Sequence, residues 1–306
     1  MASLMIENQN RFEGVFTALI TPFDATGSID WDGFKKLVSA QIESGVSGVV
    51  PCGTTGESPT LSLEEKRKVI ETCVTMTKGT SLRVIAGTGS NQTRESVEFS
   101  KWASDVGVDG VLVVTPYYNK PTQAGLIQHF TTIADAVSCE VVLYNVPGRT
   151  GVCLSSESIA RLSKHSKINH IKEATGDCVF AGKILNDCRA QETEITLLSG
   201  DDPTYWPLLQ CGAKGTISVA SNLIPKVMNE MTDCQKNRNY DRGLQLHLDH
   251  LELFQMLFCE SNPIPIKYAM HLNMGLNQTL RLPMTALSVE NQNRLKSLLE
   301  KMEIVS

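Results

Sequence analysis

Residues 140–176 read EVVLYNVPGRTGVCLSSESIARLSKHSKINHIKEATG. An apolar run over 140–145 ends in a Pro/Gly turn. A segment over 156–165 then places apolar residues three or four apart, and a second apolar run follows over 169–173. Apolar runs without strict polar alternation read as strands buried on both faces, and two of them joined through a helix read as parallel neighbours. The same unit recurs along the chain. Strands are expected over 15–22, 48–52, 83–87, 110–115, 140–145, 169–173, 195–199 and 215–219. Helical spacing follows each, over 31–43, 63–76, 94–106, 122–137, 156–165, 179–188, 203–210 and 225–233. Ser62-Leu63-Glu64-Glu65 has the form of a capping box, and Pro203 and Pro225 stand where a first helical turn tolerates proline.

Eight strand–helix units predict an α/β protein built as a closed (β/α)8 TIM barrel. An open doubly wound sheet usually needs fewer strands and a phosphate fingerprint, and Gly87-Thr88-Gly89-Ser90-Asn91-Gln92 is not G-x-G-x-x-G. Beyond residue 234 the strand pattern stops. Helical stretches over 240–258, 265–272 and 289–302 are separated by Asn262-Pro263-Ile264-Pro265 and Arg281-Leu282-Pro283-Met284. The expected division is a barrel over 1–233 that carries the site, and a C-terminal helical appendix over 234–306 packed against it.

The chain has 306 residues, 42% hydrophobic and 20% charged, enough to bury a sizeable core. A net charge of -5 gives no basic footprint, which argues against nucleic acid or an anionic membrane and favours a small-molecule substrate. No stretch approaches a membrane span, and the opening residues 1–8 lack a charged region followed by an apolar one, so a cytoplasmic protein is expected. Nine cysteines stand singly with no C-x-x-C pair, which reads as reduced, mostly buried thiols, with Cys52 packed and inert. His247 and His250 share a helix face, but no third ligand is near. They are read as part of a solvated face, and no metal is expected. The run 64–68 is read as a solvated helix face. His170 is assigned to the sheet face opposite Lys172, in outer packing.

Lys172 interrupts an apolar strand just before the polar turn Glu173-Ala174-Thr175-Gly176. Taking an amine out of water disfavours its charged form and frees its lone pair to attack a carbonyl, as a Schiff-base enzyme requires. Reactive groups of such a barrel sit at the C-terminal strand ends. The other ends carry Gly53-Thr54-Thr55-Gly56-Glu57-Ser58, Thr115-Pro116-Tyr117-Tyr118-Asn119, Tyr144-Asn145-Val146-Pro147-Gly148-Arg149-Thr150-Gly151 and Ser199-Gly200-Asp201-Asp202. Hydroxyls and phenols can pass protons, backbone N–H groups of a Gly/Thr turn can hold a carboxylate, and an arginine fork offers a second carboxylate site.

The motifs around Thr54, Tyr144, Arg149 and Lys172, together with Asn262-Pro263-Ile264-Pro265, resemble the pyruvate-dependent aldolases, the family of dihydrodipicolinate synthase and N-acetylneuraminate lyase. The likeness runs from about residue 12 to the end of the chain, and Arg149, Tyr117-Tyr118 and Gly200-Asp201-Asp202 are similar to the synthase branch. The resemblance implies catalysis by Lys172, Tyr144, Thr54 and Tyr118, with Tyr118 reaching in from a neighbouring subunit of a homo-oligomer. It implies pyruvate on Thr55, aspartate semialdehyde on Arg149, and Gly200 and Ile217 lining the pocket. It calls for no metal and no organic cofactor.

For feedback inhibition by lysine, the resemblance points to Ser58, Asn91, Glu95 and Tyr117. Lys66 departs from the histidine or acid typical of sensitive members, so weak or absent inhibition is expected. Two other readings remain: a lyase for N-acetylneuraminate or another sugar acid, and a non-catalytic barrel that binds a keto acid.

Overall fold

Eight strands close in sequence order into one parallel barrel: β1 Gly14–Ala18, β2 Gly48–Val50, β3 Arg83–Gly87, β4 Gly110–Val114, β5 Glu140–Asn145, β6 His170–Glu173, β7 Thr196–Ser199 and β8 Gly215–Ser218. The computed structural model describes residues 12–305, so the opening stretch 1–8 lies outside the described residues. Helices α1 Trp31–Ser44, α2 Leu63–Thr77, α3 Thr93–Val106 and α4 Gln123–Ala136 follow the first four strands. They continue as α5 Pro147–Thr150, α6 Ser156–Leu162, α7 Cys178–Ala190, α8 Tyr205–Gln210 and α9 Pro225–Lys236. Three more, α10 Tyr240–Met256, α11 Ile264–Met274 and α12 Val289–Lys301, complete the chain.

Alternation along each strand builds two cores. Phe12, Phe16, Val50, Ile85, Leu112, Val142, Tyr144, Leu198 and Ile217 fill the barrel. Val141, Leu143, Ile171 and Leu197 face outward into a larger layer shared with the helices. The inner rings need bare backbone opposite them. A Cβ on Gly48 would lie 2.5 Å from the Phe16 ring, and one on Gly110 would lie 2.8 Å from the Phe12 ring.

Element ends depart from expectation where side chains replace the ladder. β1 stops at Ala18 because Asn222 takes over: its Nδ2 donates to the Ala18 carbonyl at 2.7 Å and its Oδ1 accepts the Ile20 N–H at 3.2 Å. α8 starts at Tyr205 rather than Pro203, because Asp201 Oδ2 first accepts the Thr204 N–H at 3.1 Å in a separate turn. The capping box forms, with Glu65 accepting the Ser62 N–H at 2.8 Å and Ser62 Oγ accepting the Glu65 N–H at 3.2 Å. α9 runs to Lys236, across the expected boundary at 233.

Four smaller readings are corrected. His170 points into the barrel, on the same face as Lys172, because side chains two apart on a strand share a face. Its Nε2 accepts the Phe12 N–H at 2.9 Å, and the two rings lie tilted at 34° with centroids 4.6 Å apart. His247 is buried near Phe254, not solvated. The 64–68 face is partly engaged: Glu65 pairs with Arg281, and Lys68 lies over the Trp31 ring. Only four cysteines are fully buried, Cys52, Cys73, Cys188 and Cys234, while Cys153 and Cys211 are exposed. Cys52 is packed as expected, its thiol pushed up to about 12 by burial. Among the described residues no helix is long and apolar enough to cross a membrane.

Candidate active site

Strand register assembles the centre of the site. Tyr144 on β5 pairs with Lys172 on β6, Val114 on β4 pairs with Tyr144, and Lys172 pairs with Leu198 on β7. Paired positions on neighbouring strands point the same way, so Tyr144 and Lys172 enter the barrel side by side. Lys172 is 5% exposed, and its Nζ lies 4.5 Å from the Tyr144 ring centroid. Gly200, just past β7, makes room for the lysine stem: a Cβ there would meet Ala174 Cβ at 2.7 Å and Lys172 Cε at 3.0 Å. Ile217 belongs to the same inner cluster. Lys172 forms no ion pair among the described residues. A lysine this deep is ordinarily paired.

A cleft of about 450 Å³ opens beside this centre, lined by Thr54, Tyr144, Val146 and Arg149 and by Ser58, Lys66, Glu95 and Tyr117. Lys172 does not itself line it. Another cavity of about 450 Å³, at the opposite barrel end between Glu140, Asn169, His170 and Thr196, contains none of the expected site residues.

Short-range hydrogen bonds shape the Thr54–Thr55 turn and the Arg149 turn. Thr54 and Thr55 lie in a turn closed by Gly56 N–H to Gly53 O at 3.2 Å and Glu57 N–H to Thr54 O at 3.1 Å. Thr55 is buried and its Oγ1 accepts Asn262 Nδ2–H at 3.0 Å. Arg149 sits in the single turn α5, opened by Pro147 and closed by Gly151 at φ 72°. Its Nη2 donates to the Asn262 carbonyl at 3.3 Å. Asn262 therefore touches both turns, and its own buried Oδ1 has no hydrogen-bond partner among the described residues.

Tyr118 is the exception. It is 90% exposed, at φ 71°, and is not part of the cleft lining. Of the positions expected to bind lysine, Ser58, Lys66, Glu95 and Tyr117 share the cleft, while Asn91 stands beside it and donates from Nδ2 to the Tyr117 carbonyl at 3.3 Å.

Several residues at the site carried no role in the sequence reading. Glu57 is 3% exposed and pairs with Lys267, 1% exposed, at 2.6 Å. Burial pushes the Lys267 ammonium below its ordinary range, and Glu57 opposes that shift. Glu173, next to Lys172, faces outward; burial raises its carboxyl pKa against hydrogen bonds from Asn145 and Thr175. Asp202 is held up at about 6 by burial, although it accepts the N–H groups of Val219 and Ala220. Lys267 had a signal in the sequence, since it is the single charge in the apolar stretch Ile264-Pro265-Ile266-Lys267-Tyr268-Ala269-Met270.

A family model described as the dihydrodipicolinate synthetase family matches residues 11–302. A protein of Magnetococcus marinus named 4-hydroxy-tetrahydrodipicolinate synthase is 47% identical over 294 residues, covering 96% of this chain and 99% of its own length. One of the same name from Leptospira biflexa is 50% identical over 277 residues, covering 90% and 92%. The crystal structure of the chloride-inhibited dihydrodipicolinate synthase of Acinetobacter baumannii with pyruvate superposes with a TM-score of 0.92 at 41% identity, covering 96% of this chain and all of that one. The chain belongs to the dihydrodipicolinate synthetase family.

Proposed function

We propose that this chain has the activity for which its relatives are named: condensation of pyruvate with aspartate semialdehyde by 4-hydroxy-tetrahydrodipicolinate synthase, in lysine and diaminopimelate biosynthesis in the cytoplasm. One observation carries the reading. A buried lysine without an ionic partner among the described residues lies against a tyrosine, beside a cleft that presents a threonine turn and an arginine.

The chemistry follows from these positions. The Lys172 amine adds to the keto carbon of pyruvate, and water leaves to give an imine. Thr55 holds the pyruvate carboxylate. Loss of a proton from the methyl carbon gives an enamine, with the electrons accepted by the iminium nitrogen, so no organic cofactor is called for. Tyr144, Thr54 and Tyr118 carry the protons between bound substrate and solvent. The enamine carbon attacks the aldehyde of aspartate semialdehyde, whose carboxylate meets the Arg149 fork. The amine of that substrate then closes the ring onto the imine carbon and releases Lys172. Gly200 and Ile217 bound the space around the imine.

Tyr118 acts in this scheme from a neighbouring subunit, which its exposure in the single chain supports, and the working enzyme is then a homo-oligomer, a dimer or a dimer of dimers. Steady-state turnover tests the whole reading. We expect product from pyruvate and aspartate semialdehyde and none from N-acetylneuraminate. The reverse pattern establishes a sugar-acid lyase, and pyruvate binding without turnover establishes a keto-acid-binding barrel.

A further inference from the structure

The turn that carries Thr54 and Thr55 is held from outside the barrel. Glu57, three residues past Thr54, adopts φ 53°, in the left-handed region that residues with a Cβ enter only when their surroundings hold them there. The holding groups come from the C-terminal segment. Lys267 Nζ donates to Glu57 Oε1 at 2.6 Å, and the Arg281 N–H donates to Glu57 Oε2 at 3.1 Å. Phe23 backs both cations, with Lys267 Nζ 4.1 Å and Arg281 Cζ 4.4 Å from its ring centroid. Arg281 Nη1 continues to the Thr60 carbonyl at 2.8 Å and to Glu65 Oε2 at 2.7 Å. Neither Glu57, Lys267, Arg281 nor Phe23 lines the cleft.

We infer that Lys267 and Glu57 are a positioning pair, through which helix α11 fixes the Gly53–Ser58 turn and so sets the affinity for the keto acid. The inference rests on the reading proposed above, in which Thr55 receives the pyruvate carboxylate. A buried ion pair is a poor choice for stability alone, because an apolar pair of similar volume is often as stable or more so. What the pair supplies is a fixed distance and direction between elements 210 residues apart in the chain. It supplies them at a turn where a displacement of about 1 Å is enough to spoil substrate alignment.

The test compares wild type, Lys267→Met and the uncharged pair Glu57→Gln/Lys267→Met, each checked for cooperative unfolding. Readouts are steady-state kinetics with each substrate varied, and borohydride trapping at graded pyruvate. We expect both variants to need at least about tenfold more pyruvate for half-maximal rate and trapping, with kcat and the KM for aspartate semialdehyde within about threefold of wild type. The uncharged pair restores stability without restoring pyruvate affinity. Wild-type pyruvate dependence in the uncharged pair, or failure of both variants to fold, assigns the two residues to structure alone and overturns the inference. Wild type that never traps pyruvate overturns the underlying reading instead, and with it the ligand assigned to the turn.

Discussion

Lys172 and Lys267 give the same local signal: one charge inside an apolar run, destined for burial. The structure separates them. Lys267 meets a carboxylate at 2.6 Å, and Lys172 meets the face of a tyrosine. A partner that lies 210 residues away cannot be read from either lysine's neighbours, so the local sequence does not separate the two. His170 and Lys172, two apart on β6, share a face by strand alternation and stand in one barrel interior. Lys66 carries a prediction at this scale. It lines the cleft with Ser58, Glu95 and Tyr117, and a fixed cation there repels the ammonium of an amino-acid inhibitor, a like-charge contact that costs several kcal/mol where water is excluded. Lysine added to the steady-state assay is expected to inhibit weakly or not at all, and half-maximal inhibition at submillimolar lysine contradicts this.

At the scale of elements, the strand centres were legible and the ends were not. Apolar runs mark where a strand is buried on both faces, but β1 ends where Asn222 intervenes from 204 residues away, and α8 begins only after the Asp201 turn. The single turn α5, which aims Arg149 at the cleft, is too short to show helical periodicity. Helix α4 offers a test of its packing through His129, buried with Nδ1 beside Thr93 Oγ1 at 2.9 Å and Nε2 without a hydrogen-bond partner among the described residues. Burial lowers this imidazole from 6.5 to about 4. Between those values the unfolded chain binds a proton that the folded one does not, so stability is lost as pH falls through that window. Asp202 works in the opposite sense: raised from 3.8 to about 6, it costs stability as pH rises through its own window. The comparison must therefore be variant against wild type at each pH. In urea unfolding, His129→Gln is expected to shrink the stability difference between pH 7 and pH 4 by on the order of 3 kcal/mol. An unchanged difference contradicts the assignment.

At the scale of the whole molecule, the barrel brings groups from β2, β5, β6 and β7 to one end, and the C-terminal segment reaches back through Asn262 and Lys267 to hold Thr55 and Glu57 in the turn after β2. The closed parallel sheet was legible because eight units repeat one pattern. The clamp by residues 262–281 was not, because it consists of contacts between a turn and a tail with no shared periodicity. Lys172 is the proposed nucleophile, and the most direct measurement is intact and peptide mass spectrometry after mixing the protein with pyruvate and borohydride, which reduces an imine to a stable amine. One pyruvate-derived adduct per chain is expected, located on Lys172 and absent in Lys172→Ala. Folded wild-type protein without an adduct, or with the adduct on another lysine, contradicts it.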